Sequence, residues 1–137
     1  MTKINIALTQ GALSTECRHE SGVTLFTSAP KDNGGTGSMF SPTDLVAAAL
    51  GSCVLTLMGL MARALNLELL HTSAEVEKHM VASPHRRIGK IAVHVRSKLQ
   101  TTPEFQAKLE AAGRSCPVHA SLHPDVVQEI TFSWGVS

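Results

Sequence analysis

The chain has 137 residues with a formal net charge of +1, and apolar residues make up 43% of it while aromatic residues make up only 4%. A chain of this length is typical of one domain with a hydrophobic core, so we predict a single domain over residues 1–137. The balanced charge provides no electrostatic footprint for nucleic acid, and the apolar content excludes a disordered chain.

The N-terminal third predicts three β-strands. At the start of the chain, apolar residues alternate with polar or small ones at Ile4, Ile6 and Leu8. After a turn around Gln10–Gly11, two further strand patterns follow at residues 12–18 and 22–28. The chain does not open with the apolar stretch and cleavage site of a secretory signal. We therefore expect a cytoplasmic protein.

A long helix is predicted after a glycine-rich segment, residues 30–38, which fits a flexible connector or, alternatively, a lid over a site. Ser41 as N-cap, Pro42 at the first helical position and Asp44 three residues after the cap form a capping-box pattern. Leu45–Ala62 carries no charge and reaches the length of a transmembrane helix. Small and polar residues interrupt it and strand patterns flank it, so we predict a helix over 42–65 that is buried on every face, without a membrane partner.

A helix of that length, ~36 Å, presents more surface than one small sheet can cover. A second copy of the chain would provide the missing cover. We therefore predict an obligate homodimer in which the two long helices pack against each other and the sheets lie outside them.

Two more strands are predicted after this helix, at about residues 69–82 and 88–99. Leu70, Thr72, Ala74 and Val76 would share one face of the first of them. Ile91, Val93 and Val95 give the apolar alternation of the second.

The C-terminal region predicts a second helix, a short helical turn and a last strand. Thr102 would cap the helix, Pro103 would begin it and Gly113 would end it. Pro117 opens the helical turn, and the final strand places Ile130, Phe132 and Trp134 inward. The resulting order is βββ-α-ββ-α-β, which predicts the α+β class.

Three cysteines, Cys17, Cys53 and Cys116, are too few for a disulfide scaffold. Cys53 lies in the middle of the apolar helix, a pattern typical of an inert core residue. Cys116 precedes Pro117 at a helix N-cap, where unpaired N–H groups favour a thiolate, so we predict a lowered pKa for this thiol. Cys17 lies on a predicted strand, where packing accounts for it.

The segment Ser41–Cys53, SPTDLVAAALGSC, and the later Cys116-Pro117-Val118 resemble the paired signatures of the OsmC/Ohr family of thiol-dependent hydroperoxide reductases. The resemblance covers essentially the whole chain and implies an intertwined homodimer with active sites at the interface. It implies that Cys53 is the peroxidatic thiolate, which becomes a sulfenic acid, and that Cys116 is the resolving thiol. An external dithiol such as a lipoyl group would then reduce the disulfide, with no bound cofactor.

The same resemblance implies a cation beside Cys53, because burial disfavours a thiolate. The family supplies an arginine from an early strand and a glutamate that holds it. Arg18 is our candidate for the arginine, and a plain exposed strand arginine is the alternative. At the glutamate position this chain has Thr43, with Asp44 one residue later as a supporting or merely capping acid. This departure resembles the broader OsmC-like branch, which keeps both cysteines.

Other interpretations stay open for the histidines. Cys116, His119 and His123 would fall on one helix face and suit zinc, whereas the alternative is that the histidines are surface residues. Because a fourth ligand is not evident, we expect no metal.

His79 and residues 85–87 fit a solvated strand end and turn, with an anion site as the alternative. A further alternative is a non-enzymatic protein that binds an apolar ligand between two subunits, with cysteines that are vestigial or sense redox state. The flexible side chains of Met58 and Met61 permit it.

Overall fold

The computed structural model describes residues 1–9, 11 and 13–136, so Gln10 of the predicted turn and Ala12 of the predicted second strand lie outside the described residues. The predicted order of strands and helices and the α+β class are confirmed. The elements are β1 (Ile4–Leu8), β2 (Ser14–His19), β3 (Thr24–Ser28), a 3-10 turn (Lys31–Asn33), α1 (Pro42–Ala64), β4 (Thr72–Val81), β5 (Arg87–Ser97), α2 (Pro103–Arg114), α3 (Pro117–Ser121) and β6 (Val127–Trp134).

The chain forms two compact units, Met1–Val46 and Ala47–Ser137. The single-domain interpretation stays a prediction. In the first unit, β1, β2 and β3 form an antiparallel sheet in that order. Its register places Ile6 opposite Cys17 and Cys17 opposite Leu25, so these three side chains share one face. That face is open, because Ile6 is 65% exposed.

The capping box predicted at the start of α1 is present. The amide of Ser41 donates to Asp44 Oδ2 at 2.9 Å, and the amide of Asp44 donates to Ser41 Oγ at 3.1 Å. This reciprocal pair satisfies two N–H groups that a helix start leaves without an intrahelical partner. The helix begins at Pro42, as predicted, and ends at Ala64.

In the second unit, β4 and β5 pair antiparallel, and β5 supplies the buried residues Ile91, Val93 and Val95. The prediction for Leu70 is wrong, because β4 begins at Thr72 and Leu70 is 66% exposed. His71 between them has a φ of 58°, a left-handed conformation that interrupts an extended chain.

The last strand, β6, pairs with β5 in parallel. Sequence analysis did not predict this pairing. A parallel neighbour needs a long crossover connection, and the chain between the two strands contains α2 and α3. The crossover therefore positions Cys116, which lies between those helices.

Helix α1 packs closely at two glycines. A Cβ on Gly51 would lie 2.6 Å from Val76 Cγ2 on β4, and a Cβ on Gly113 would lie 3.1 Å from side-chain atoms of Val54 and Met58 on α1. The prediction that Gly113 ends α2 is therefore wrong. This glycine is a buried contact point inside the helix, which continues to Arg114.

The prediction that α1 is buried on every face is not met by a single chain. By length and composition it is the one helix in the described part of the chain that could cross a membrane. Within its most apolar 18 residues, 33% are buried. Buried core helices of soluble proteins share this property. Its exposed stripe consists mostly of small residues: Ala49, Ser52, Thr56 and Leu60.

Candidate thiol site

The structure brings Cys53 and Cys116 together within the second unit. Cys53 lies in the fourth turn of α1, and Cys116 is the N-cap of α3. The two thiols lie close enough to interact, since Cys53 is among the groups that raise the pKa of Cys116. Two sulfur atoms from distant parts of the chain therefore form one site.

The two thiols differ in their access to solvent. Cys116 is completely buried, whereas Cys53 is half-buried. Cys53 is therefore the more exposed residue of the pair.

The prediction of a lowered pKa for Cys116 is wrong. Its Sγ accepts a hydrogen bond from the amide of His119 at 3.3 Å, and this contact does favour the thiolate. Burial acts in the opposite direction and is the largest effect, and the neighbouring Cys53 adds to it, so the pKa of Cys116 is raised. The short helix α3 does not offset this desolvation.

The first turn of α3 is anchored to β6 by one glutamine. Gln128 Nε2 donates to the carbonyl of His119 at 3.1 Å, and Gln128 Oε1 accepts from His119 Nδ1. The amide that points at Cys116 is therefore held through both the backbone and the ring of its residue. Sequence analysis missed Gln128; its inward register on β6 was the available signal.

Arg18 lies on β2 in the first unit, where it donates to Glu16 Oε1 at 2.9 Å, and its side chain is 62% exposed. Sequence analysis missed this partner, although residues two apart on a strand share a face. Its role beside Cys53 stays a prediction. Asp44 accepts the capping bond described above, and Thr43 Oγ1 lies 3.2 Å from Ser41 Oγ, so both help to form the start of α1.

Cys17 and His123, the other residues considered for thiol or zinc chemistry, have partners of their own. Cys17 lies on β2, with its Sγ 3.7 Å from Thr15 Oγ1. His123 lies beyond the end of α3, and its Nδ1 accepts from the amide of Asp125 at 3.0 Å. The described residues contain no group of three side chains placed to hold a metal ion.

Comparison with known proteins places this fold. The model of the family described as OsmC-like protein matches residues 35–131. A crystal structure from Psychrobacter arcticus 273-4, named for osmotic stress induction and detoxification response, is 36% identical with a TM-score of 0.89, and the match covers 97% of this chain and 96% of that chain. No curated protein matches the chain.

Two more distant structures share the fold. The organic hydroperoxide resistance protein OsmC of Legionella pneumophila has a TM-score of 0.76 at 20% identity, covering 97% of this chain and 96% of that one. The organic hydroperoxide resistance protein OhrB of Bacillus subtilis has a TM-score of 0.69 at 18% identity, with 97% and 98% covered. The family match and the Psychrobacter structure together establish that this chain belongs to the OsmC-like protein family.

Proposed function

We propose that this protein is a cysteine-based thiol peroxidase, an oxidoreductase of the peroxiredoxin type that reduces organic hydroperoxides in defence against oxidative stress. One observation carries the proposal: the half-buried Cys53 lies beside the fully buried Cys116, close enough to contribute to its raised pKa. The names of the Legionella and Bacillus relatives point to the same substrate class.

The environments of the two thiols support different roles for them in the proposed reaction. The peroxidatic thiol must meet a peroxide from solvent, and Cys53 is the accessible member of the pair. Because the pKa of Cys116 is raised, this thiol keeps its proton at neutral pH. Its S–H can then donate to the Cys53 thiolate, which stabilises the nucleophile, and Cys116 remains in place to resolve the product.

The reaction proceeds in three steps. The Cys53 thiolate attacks the distal oxygen of the hydroperoxide, the O–O bond breaks, and the alkoxide leaves and is protonated to an alcohol. The Cys53 sulfenic acid then condenses with the Cys116 thiol, which forms a disulfide and releases water. An external dithiol, such as a lipoyl group, reduces this disulfide to two thiols and becomes oxidised itself.

Arg18 is the proposed cation for the thiolate and the peroxide oxygen. Its guanidinium has a fixed planar fork, and the carboxylate of Glu16 at 2.9 Å holds that fork from the same strand. Glu16 would thereby take the part that the family assigns to a glutamate at the position of Thr43.

A homodimer is part of the proposal. The stripe of small residues on α1 permits close helix–helix packing, and the apolar face of the first sheet is open, with Ile4 and Leu8 58% and 70% exposed. The formal charge of +1 gives little repulsion between copies. Light scattering should show a dimer that persists on dilution, and a monomer at micromolar concentration would contradict this part of the proposal.

The decisive experiment follows peroxide consumption with cumene hydroperoxide and dihydrolipoamide. Cys53→Ser should abolish turnover, and Cys116→Ser should stop it after one equivalent and leave a sulfenic acid that dimedone traps. Cys17→Ser is the matched control and should retain full turnover. Mass spectrometry after a brief peroxide pulse should show a Cys53–Cys116 cross-link.

Two outcomes would overturn the proposal. The first is equal turnover in the wild-type protein and the Cys53→Ser variant. The second is a peroxide-induced cross-link that joins Cys17, rather than Cys116, to Cys53.

A further inference from the structure

A cavity of about 420 Å³ lies in the second unit, away from the thiol pair. The turn between β4 and β5, the start of β5 and the segment between α3 and β6 form its walls, and neither Cys53 nor Cys116 lines it. The lining residues are Pro84, His85, Arg87, Ile88, Leu122, His123, Asp125 and Val126. Nothing in the proposed peroxidase chemistry uses this space.

The cavity has the size and surface of a small-molecule site. Half of the lining side chains are apolar, namely those of Pro84, Ile88, Leu122 and Val126. Sites for small organic ligands occupy about 300–1,000 Å³ and combine apolar walls with a few polar groups. A short aliphatic chain would fit these walls.

One cation in this lining, Arg87, forms no ion pair in the described part of the chain. Its side chain is half-buried. Its neighbour on the same strand, Lys90, pairs with Glu129 at 3.0 Å. A partly desolvated guanidinium without a partner is unfavourable, and an anion in the cavity would compensate it.

Asp125 is the one acid in the lining and lies beside His123. Its Oδ2 lies 3.8 Å from His123 Nδ1, and its amide donates to the same nitrogen. A neutral His123 therefore carries its ring proton on Nε2, which provides a second donor among the lining residues.

We propose that this cavity binds an organic monocarboxylate with an aliphatic body, independently of the redox reaction. The guanidinium of Arg87 would hold the carboxylate through two parallel hydrogen bonds, for which its planar fork is suited. The apolar walls would take the aliphatic chain. This proposal favours the anion-site interpretation of residues 85–87 over a merely solvated turn.

The test uses octanoate as the probe and 1-octanol as its uncharged counterpart, with the reduced full chain, by calorimetry and by NMR of the backbone amides. Octanoate should bind and shift amides of residues 83–88 and 122–126. Arg87→Gln should weaken octanoate binding at least about tenfold, as expected for loss of a charge-assisted pair. Octanol should bind more weakly than octanoate and equally to both proteins.

Two further variants test whether octanoate binding depends on this cavity or on the overall charge of the protein. Arg96→Gln removes a cation nine residues further along β5, about 30 Å away at the rise of a strand, and should not change octanoate binding. Asp125→Asn removes the competing carboxylate and should strengthen binding.

The proposal is overturned if octanoate does not bind at millimolar concentration, if Arg87→Gln binds it as tightly as the wild type, or if octanol binds as well as octanoate. Shifts confined to other regions would overturn it as well. Peroxide turnover is not a readout here, so failure of this site leaves the peroxidase proposal intact.

Discussion

Replacing Gly51 with alanine tests whether α1 must lie as close to β4 as the structure places it. A glycine inside a helix is ordinarily ~1 kcal/mol less favourable than alanine, so the substitution alone should stabilise α1. The added Cβ would, however, lie 2.6 Å from Val76 Cγ2, which is too short for two carbons. Overpacking of this kind costs ~1–3 kcal/mol. We therefore expect a net loss of ~0–2 kcal/mol for Gly51→Ala.

Gly59→Ala provides the matched control on the same helix. A Cβ at Gly59 would meet nothing within 4 Å, so this variant should show the full gain of ~1 kcal/mol. The two variants should therefore differ by ~1–3 kcal/mol in the free energy of unfolding, measured by urea denaturation. Because Cys53 lies two residues beyond Gly51, disulfide closure with Cys116 should also slow in Gly51→Ala and not in Gly59→Ala.

A double-mutant cycle with Val76→Ala isolates the clash, since that change removes the obstructing methyl group. The loss specific to Gly51→Ala should shrink when Val76 is alanine. Equal stabilities of Gly51→Ala and Gly59→Ala, or no coupling between positions 51 and 76, would refute the reasoning. Repeating the titration at two protein concentrations reveals any contribution from subunit association at Gly59.

Three further predictions concern the thiol site and the helix start. Burial raises the pKa of Cys116 above the usual 9.0, so the unfolded chain loses this proton first as pH rises. The free energy of unfolding should therefore fall above about pH 9. Urea titrations at stepped pH should show a smaller fall for Cys116→Ala. Gln128→Met should slow peroxide-induced disulfide closure and lower the free energy of unfolding by ~1 kcal/mol. The control Gln106→Met, in which the lost amide only reaches the Thr101 carbonyl at 3.4 Å, should leave the closure rate unchanged. Equal rates in the two variants would contradict the role of Gln128. Ser41→Ala should lower the free energy of unfolding by ~1 kcal/mol, and the exposed Ser38→Ala should not; a loss below the error of the titration would count against the capping box.

The parts of the fold that depend on local chemistry could be predicted from sequence. The capping box at Ser41, the proline that begins α2 and the alternation of Ile91, Val93 and Val95 each express a preference of the chain within a few residues. Gly113 misled the prediction, because a glycine near a helix end is usually a stop signal. Its use here is a close approach to α1, which depends on a helix about fifty residues earlier in the chain.

The thiol site, too, could be predicted only where it depends on neighbouring residues in the sequence. The N-cap position of Cys116 follows from Pro117, and the capping hydrogen bond from His119 is present. Complete burial is set by the elements packed around α3, and that long-range effect reverses the direction of the pKa shift. Gln128 was missed for the same reason, since its role depends on His119 in a neighbouring helix. Glu16 was missed although its partner Arg18 lies only two residues away on β2.

Cys53 shows how the same residue supports opposite interpretations. Within its own helix it fits an inert core cysteine, because nothing in the surrounding turns favours a thiolate. Beside Cys116 its situation changes, because the neighbouring thiol has a raised pKa and so retains a proton that it can donate. A thiol that keeps its proton can act as the hydrogen-bond donor while its neighbour acts as the nucleophile. The reactivity proposed for Cys53 is therefore a property of the pair, and exchanging Cys116 for a residue without a proton to donate should weaken the first attack on peroxide as well as the resolution step.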